Sequence, residues 1–392
     1  MTRVIHTGDT HLGYRQYHSP VRRQDFADAF RSVVEDAVED DVDAVVHAGD
    51  LYHDRQPGLP DLLDTIDILT PLREHDIPFL AVVGNHESTR QGQWLDLFET
   101  LGLATRLDAQ GTVVGDTTFY GLDYVPESKR DQLDYEFATP ETAHAALVSH
   151  GLFTPFPHAN WETETVLGEA NVEFDALLLG DNHAPDRAEV LDTWVTYCGS
   201  TERASASERD PRGYNIVTFD DGAEITRRGV DTRDFVFLDL ELKGDEGTAY
   251  VRDRVREADV TDAVVIATIE GEGGQVTPAD VEAFGEERGA LVTRVNDRRE
   301  VEDEADIDVS FADPDEAVRE RVRELGLSQT ARDIDEAVRE SKLADANVRD
   351  AVKDRVQEAI SDAPDPGDGA AGVTEEEAAD ENDGQAAMGE FQ

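Results

Sequence analysis

Between residue 1 and about residue 230, short apolar runs alternate with stretches of helical pattern. The runs "RVIHTGD", "AVVHAGD", "FLAVVGN", "AALVSHG" and "ALLLGDN" read as strands, and each ends in a polar cluster. Between them lie "RRQDFADAFRSVVEDAVED" and "LPDLLDTIDILTPLREH", whose apolar positions recur at helical spacing. This βα rhythm predicts a layered α/β domain. In such domains the ligand site gathers at the carboxyl ends of the strands. Five polar clusters at five strand ends therefore point to one place.

The pattern changes near residue 234. "DFVFLDLEL", "AVVIATIEG" and "ALVTRVND" predict three strands, and "TAYVRDRVREA" and "TPADVEAFGEER" two helices. The second helix has Thr277 as N-cap, Pro278 at the first helical position and Asp280 at the third. The result is a small βαβαβ unit over 234–312. From Asp313 the pattern is helical, with Ile334, Ala337 and Val338, then Val348, Val352, Val356 and Ile360, at helical spacing. These helices are thinly apolar, which suits segments that fold on a partner. The tail over 363–392 is acidic, rich in Gly and Ala and almost without aromatics, a composition that predicts disorder. The expected organisation is thus 1–233, 234–312, 313–362 and 363–392.

Charge changes the picture more than length does. Across 392 residues, 88 Asp and Glu face 35 Lys and Arg, a net charge of −53, and the acid is spread along the whole chain. Such self-repulsion destabilises a compact state at ordinary ionic strength. At molar salt the Debye length falls to roughly 3 Å and the repulsion is screened. The composition points to a salt-filled cytoplasm, as in halophilic archaea; the competing reading is an acidic surface for a basic partner. No apolar run is long enough to span a bilayer, and "MTRVIHTGDTHLG" enters a strand directly, so a soluble cytoplasmic protein is expected. Cys198 is the only cysteine, which excludes an internal disulfide and a zinc–thiolate centre.

The strand ends carry the candidate chemistry: "GDTH" (Asp9, His11), "GDLYH" (Asp50, His53), "GNHE" (Asn85, His86), "SHG" (His150) and "GDNH" (Asp181, His183). Any one of these is an ordinary turn or cap. Independent turns have no reason to supply oxygen and imidazole ligands at five successive strand ends. Asp oxygens and His nitrogens without thiolate suit Mn, Fe or Zn. One carboxylate can bridge two ions, and two ions roughly 3.5–4 Å apart can serve an in-line displacement at phosphorus. The glycines before Asp9, Asp50, Asn85 and Asp181 are expected to permit the sharp turns.

Taken together, these motifs resemble the calcineurin-like metallophosphoesterase superfamily. Within it, the chain is similar to the DNA double-strand-break repair nucleases of the SbcD type, known in archaea and eukaryotes as the meiotic-recombination-eleven nuclease. "GDTHLG", "GDLYHDRQP", "YCGSTERAS" and "RGYNIVTF" carry that branch, over roughly residues 1–310. The resemblance implies an α/β fold: a layered β-sandwich metallophosphoesterase core flanked by helices, a small βαβαβ capping domain and a helical C-terminal region that binds an ATPase. It implies that Asp9, His11 and His183 bind one metal, that Asn85, His150 and Asp181 bind the second, and that Asp50 bridges them. His86 would be the non-ligand histidine that stabilises the transition state or protonates the leaving oxygen. His53 would contact or orient the nucleotide.

Two positions depart from the family pattern. Asp181 stands where the family usually has the first His of His-x-His; it is a competent ligand that favours harder ions, so two Mn²⁺ ions per subunit are expected. Glu87 stands where these nucleases often carry Asp, and is shared with the protein-phosphatase branch. The implied activities are 3′-to-5′ double-strand exonuclease and single-strand endonuclease. The implied partners are DNA ends, a coiled-coil, SMC-like ABC ATPase of the SbcC type, and a second copy of the chain within a heterotetramer. DNA contacts at high salt would rest on the metals, backbone N–H groups and arginines, with Arg22, Arg23, Arg55, Arg90, Arg187 and Arg203 as candidates. The alternatives are a phosphodiesterase or phosphatase for non-DNA substrates, and a weakly catalytic DNA-tethering subunit.

Overall fold

The computed structural model describes residues 1–89, 92–130 and 132–299. These are all of the compact unit Met1–Glu302 but for those gaps and its last few residues; the second unit, Asp303–Gln392, lies outside the described residues. So do the expected ATPase-binding helices, the acidic tail, the end of the expected capping unit and Arg90.

The first four strands form a parallel ladder: β1 (Thr2–Thr7), β2 (Ala44–His47), β3 (Phe79–Ala81) and the short β4 (Thr105–Arg106). A second ladder is built from β5 (Thr112–Val114), β6 (Thr117–Leu122), β7 (His144–His150), β8 (Ala176–Gly180), β9 (Asp186–Val190) and β10 (Thr193–Tyr197). Its order is β5-β6-β7-β8-β10-β9, with β6, β7, β8 and β10 parallel. The chain then returns to the first sheet: β11 (Gly213–Phe219) pairs antiparallel with β1, and β12 (Ala223–Gly229) pairs with β11 at the edge.

Strand side chains alternate between faces, and here both faces are covered. Val4, Ala44, Val46 and Leu80 of the first sheet meet Phe119, Ala146, Val148, Ala176 and Leu178 of the second in one buried layer. Their neighbours Ile5, Val45 and Phe79 point the other way, onto helices α1 (Pro20–Glu39), α2 (Leu59–Glu74) and α3 (Trp94–Thr100). The apolar face of α1 (Phe30, Val33, Val34, Ala37) packs there; each large side chain so buried contributes about 1.5–3 kcal/mol. Ser19 caps α1 by accepting the Arg22 N–H, and Pro20 opens the first turn. Outside the second sheet, Leu147, Leu177, Leu179 and Val195 lie under Phe153, Trp161 and Phe174. Val166 of α5 (Thr163–Glu169) joins them, after a one-turn helix α4 (Glu127–Arg130). Double coverage explains why the central strands read as nearly unbroken apolar runs.

Residues 235–297 form a separate sheet. β13 (Phe235–Lys243), β14 (Val264–Glu272) and β15 (Val292–Asp297) are parallel in that order, with α6 (Thr248–Glu257) and α7 (Pro278–Glu287) as crossovers. One face packs on the helices through Val251, Val255, Val281 and Ile269. The other meets Tyr17 and Ala206 of the sandwich through Val264, Ile266 and Phe237. α7 starts after Thr277 as expected, but the Thr277 hydroxyl makes no capping bond; only its carbonyl accepts from Asp280 N, at 3.1 Å. Among the described residues no helix is long and apolar enough to cross a membrane.

Candidate metal centre

Parallel register brings the strand ends together. Thr7 of β1 is level with His47 of β2, and His47 with Ala81 of β3, so the loops carrying Asp9, Asp50 and Asn85 leave side by side. In the second sheet His150 is level with Gly180, which sets Asp181 and His183 beside it. The first two loops are laced by Asp9 N to Gly49 O (3.0 Å) and His11 N to Asp50 O (3.1 Å).

The turns are not made in the way the glycines suggest. Gly49 has a left-handed φ of 89°, but Gly8, Gly84 and Gly180 do not. The left-handed residues are the candidate ligands themselves: Asp9 (φ 49°), His11 (44°), Asp50 (55°) and Asp181 (93°). Such conformations cost on the order of 1 kcal/mol or more each and gather at functional sites. Gly84 and Gly180 are glycine for space. A side chain at 84 would collide with the Asp50 carboxylate, and one at 180 with the Ala48 carbonyl and His150.

All nine expected residues have polar atoms converging on one region. His11 Nε2 and His183 Nε2 face each other at 3.0 Å, and Asp9 completes a group whose ligand atoms lie within 4.8 Å of one another. His150 Nε2 lies 3.2 Å from Asn85 Oδ1 and 3.8 Å from Asp181 Oδ1. Asp50 Oδ2 lies between the two sets, 3.5 Å from His150 Nε2 and 4.0 Å from His11 Nε2. It is also 4.0 Å from His86 Nε2, whose side chain is 38% exposed where Asp50 is buried. The ninth, His53, has a ring nitrogen within 4.8 Å of those of His11 and His86, and its ring is stacked on Tyr14 at 3.8 Å between centroids and lies 5.2 Å from His86.

Hydrogen bonds fix which imidazole nitrogen faces the cleft. A carbonyl can only accept, so His150 Nδ1 donates to Ala48 O (2.8 Å) and His86 Nδ1 to His53 O (2.8 Å). His183 Nδ1 donates to the Glu208 carboxylate at 2.8 Å. In all three rings Nε2 is left for the cleft. Asp181 N donates to both oxygens of Asp9, at 3.1 Å each.

The electrostatics are those of a site built for positive charge. Burial pushes Asp9 up to about 6, and Asp181 upward, against the opposing pull of His183 and His150. Burial also works against Asp50, but His150, His11 and His86 outweigh it and hold its carboxyl well below the usual range. His150 is the reverse: burial opposes its charge, and Asp50, Asp181 and Asp9 raise it well above the usual imidazole value. Burial, then His86, lowers His53 to about 4, so that ring is neutral near pH 7. Buried carboxylates opposed by imidazoles, all presenting oxygen or Nε2 to one space, fit divalent cations of the Mn, Fe or Zn type.

One working residue escapes a motif search. Glu208, 25 positions beyond His183, holds that ring. Glu87 is not in the cleft: it is buried, accepts from Tyr52 N (3.1 Å) and Gly84 N (3.2 Å), and ties the "GNHE" turn to the "GDLYH" turn. Of the arginines offered as DNA contacts, Arg22 is ruled out by burial, and Arg23, Arg203 and Arg187 already make bonds within the fold. Arg22 is fully buried against Asp25 (2.7 Å), Glu202 (3.3 Å) and Gln16 (3.0 Å). Arg23 binds Asp61 and Asp64, and Arg203 binds Thr232 and the Glu208 and Asp210 carbonyls. Arg187 donates to Ile225 O beside Trp194. Cys198 is buried, with its thiol pushed well up by burial.

Residues 2–187 match the family model described as calcineurin-like phosphoesterase. The chain is 67% identical over 368 residues to "DNA double-strand break repair protein Mre11" of Haloferax volcanii, covering 93% of this chain and 83% of that one. The relative of the same name in Halobacterium salinarum is 64% identical over 375 residues, covering 94% and 97%. The one in Methanosarcina acetivorans is 44% identical and covers 90% of this chain and 60% of its own length. With a calcineurin-like domain at its amino end and haloarchaeal relatives alike over nearly its whole length, the chain belongs to the family of the DNA double-strand break repair protein Mre11.

Proposed function

We propose that the chain is a two-metal DNA nuclease that processes the ends of double-strand breaks and works with manganese. The observation that carries the reading is Asp50 Oδ2, a buried oxygen 3.5 Å from His150 Nε2 and 4.0 Å from His11 Nε2, bordering both ligand groups. The names of its relatives support DNA ends as the substrate. Asp9, His11 and His183 would hold one Mn²⁺, Asn85, His150 and Asp181 the other, and Asp50 both. Asp181 offers a hard oxygen in place of an imidazole, which favours Mn²⁺ over Zn²⁺. When bound, the ions supply Lewis acidity and a nucleophile at neutral pH.

The remaining work falls to the side chains. Asp50 and His150 orient the ligand set from buried positions. His86, with Nδ1 donating to the His53 carbonyl, presents Nε2 at the open side and delivers a proton to the leaving oxygen. His53, neutral and stacked on Tyr14, orients the nucleotide as a hydrogen-bonding group and not as a cation. The activities are 3′-to-5′ duplex exonuclease and single-strand endonuclease. The partner is a coiled-coil, SMC-like ABC ATPase of the SbcC type docking on residues 313–362, with two copies of the nuclease in a cytoplasmic heterotetramer.

The test is cleavage of end-labelled duplex and single-stranded DNA in molar KCl with Mn²⁺, comparing the native protein with Asp50→Ala. Manganese-dependent cutting that Asp50→Ala abolishes is expected. Hydrolysis of small phosphodiesters without cutting of DNA would replace this reading by a phosphodiesterase for other substrates.

A further inference from the structure

The loop from Ser200 to Arg212 does more than connect β10 to β11. Glu208 is its centre. One oxygen accepts from His183 Nδ1 at 2.8 Å; the other accepts from Ala204 N (3.0 Å), Ser200 Oγ (3.4 Å) and Arg212 Nη1 (3.2 Å). Arg212 is itself buried, and the same Nη1 donates to the His183 carbonyl at 3.0 Å. His183 is thus gripped at both its ring and its backbone by one Arg–Glu pair. A carboxylate behind an imidazole fixes the tautomer, fixes the ring plane and raises the basicity of the far nitrogen. That far nitrogen is Nε2, the one opposite His11 Nε2. His150 has only the Ala48 carbonyl in the same role, so the two ligand groups are supported differently.

We propose that Glu208 is a positioning residue for one metal of the pair: through His183 it sets the affinity of the Asp9–His11–His183 site and leaves the Asn85–His150–Asp181 site unchanged. The inference rests on the two-metal reading above. Replacing Glu208 with Gln keeps the size but puts an amide where one oxygen now takes three N–H or O–H donors. The amide must either oppose those donors or turn its NH₂ toward His183, driving the ring proton to Nε2.

The experiment is a titration of the full-length protein with Mn²⁺ alone, in molar KCl, by calorimetry and by electron paramagnetic resonance of free Mn²⁺. Native protein, Glu208→Gln and Glu208→Asp are compared, with circular dichroism as the check on folding. The native protein is expected to take two ions. Glu208→Gln should weaken one of them about 10–100-fold and leave the other within error, and Glu208→Asp, which keeps the charge, should fall between. Two ions bound by Glu208→Gln with native affinities would overturn the inference while sparing the two-metal reading. A native protein that takes no second ion would overturn the two-metal reading, and this inference with it. Should Glu208→Gln fail to fold, Glu208→Asp decides by the same criterion: unchanged binding of both ions overturns the proposal.

Discussion

Among the imidazoles of the cleft, His86 is held differently from the candidate ligands it adjoins. Its Nε2 stands 4.0 Å from Asp50 Oδ2, its side chain is partly open to solvent, and its backbone N–H donates to Asp50 Oδ1 at 3.0 Å. The backbone bond survives any change of side chain. His86→Ala is therefore expected to leave the metal content unchanged and to lower cleavage by about 10²-fold or more, the range for loss of a general acid. Metal content by mass spectrometry alongside the cleavage rate decides it; loss of an ion would make His86 a ligand. The candidate ligands were legible in the sequence because each follows an apolar run and joins a set that no unrelated turns would assemble. Glu208 was not legible: it lies in a loop 25 residues from the ring it holds, in a chain with 88 acidic residues to choose from. Arg22 misled for the opposite reason. It sits near the first motif in sequence, but its helix turns it inward against Glu202 and Asp25.

At the scale of the element, β7 delivers His150 to the cleft from its last residue, and its first residue is another histidine, which ties the strand down. His144 Nδ1 lies 3.2 Å from Asp175 Oδ1, ahead of β8, and Nε2 lies 2.7 Å from the Asp220 carbonyl between β11 and β12. Both bonds are made at once only when both nitrogens carry protons. Burial opposes that charge, but Asp175 and the Asp220 carbonyl outweigh it and raise the pKa above 6.5. A raised folded-state pKa contributes stability that is complete below 6.5 and is lost as pH rises through the folded value. The melting temperature of the native protein should therefore exceed that of His144→Gln by more at pH 6 than at pH 8.5. An equal gap at both pH values would show that the imidazolium contributes nothing. The buried parallel strands β1, β2, β3, β7 and β8 were legible as apolar runs because both of their faces are covered. The edges were not: β9 reads Asp-Arg-Ala-Glu-Val with three of its five residues exposed, and β4 is two residues long, so neither carries a pattern to find.

For the whole molecule the governing quantity is the net charge of −53. Several cations of the described residues are spent within the fold: Arg23 on Asp61 and Asp64, Arg228 on Asp40, Arg233 on Asp25, Arg209 on Asp239 of the β13–β15 sheet. Where such a pair is open to solvent, as Arg209–Asp239 is, it contributes about 0–1 kcal/mol and weakens in salt. If such pairs dominated, the protein would lose stability as KCl rises. The excess acid acts in the opposite direction, because more than half of the carboxylates have no basic residue to offset them, and their mutual repulsion is greater in the folded chain than in the expanded one. Between about 0.1 and 1 M salt the Debye length shrinks from about 10 Å to about 3 Å. The repulsive sum, which runs over longer distances than the 2.6–2.7 Å pairs, is lost first. The melting temperature should therefore climb steadily from 0.1 to 1 M KCl. Screening also predicts the same climb in choline chloride. A rise confined to sulfate would point instead to exclusion of the salt from the surface, and a flat or falling curve would mean that the acid is not what adapts this fold to its solvent.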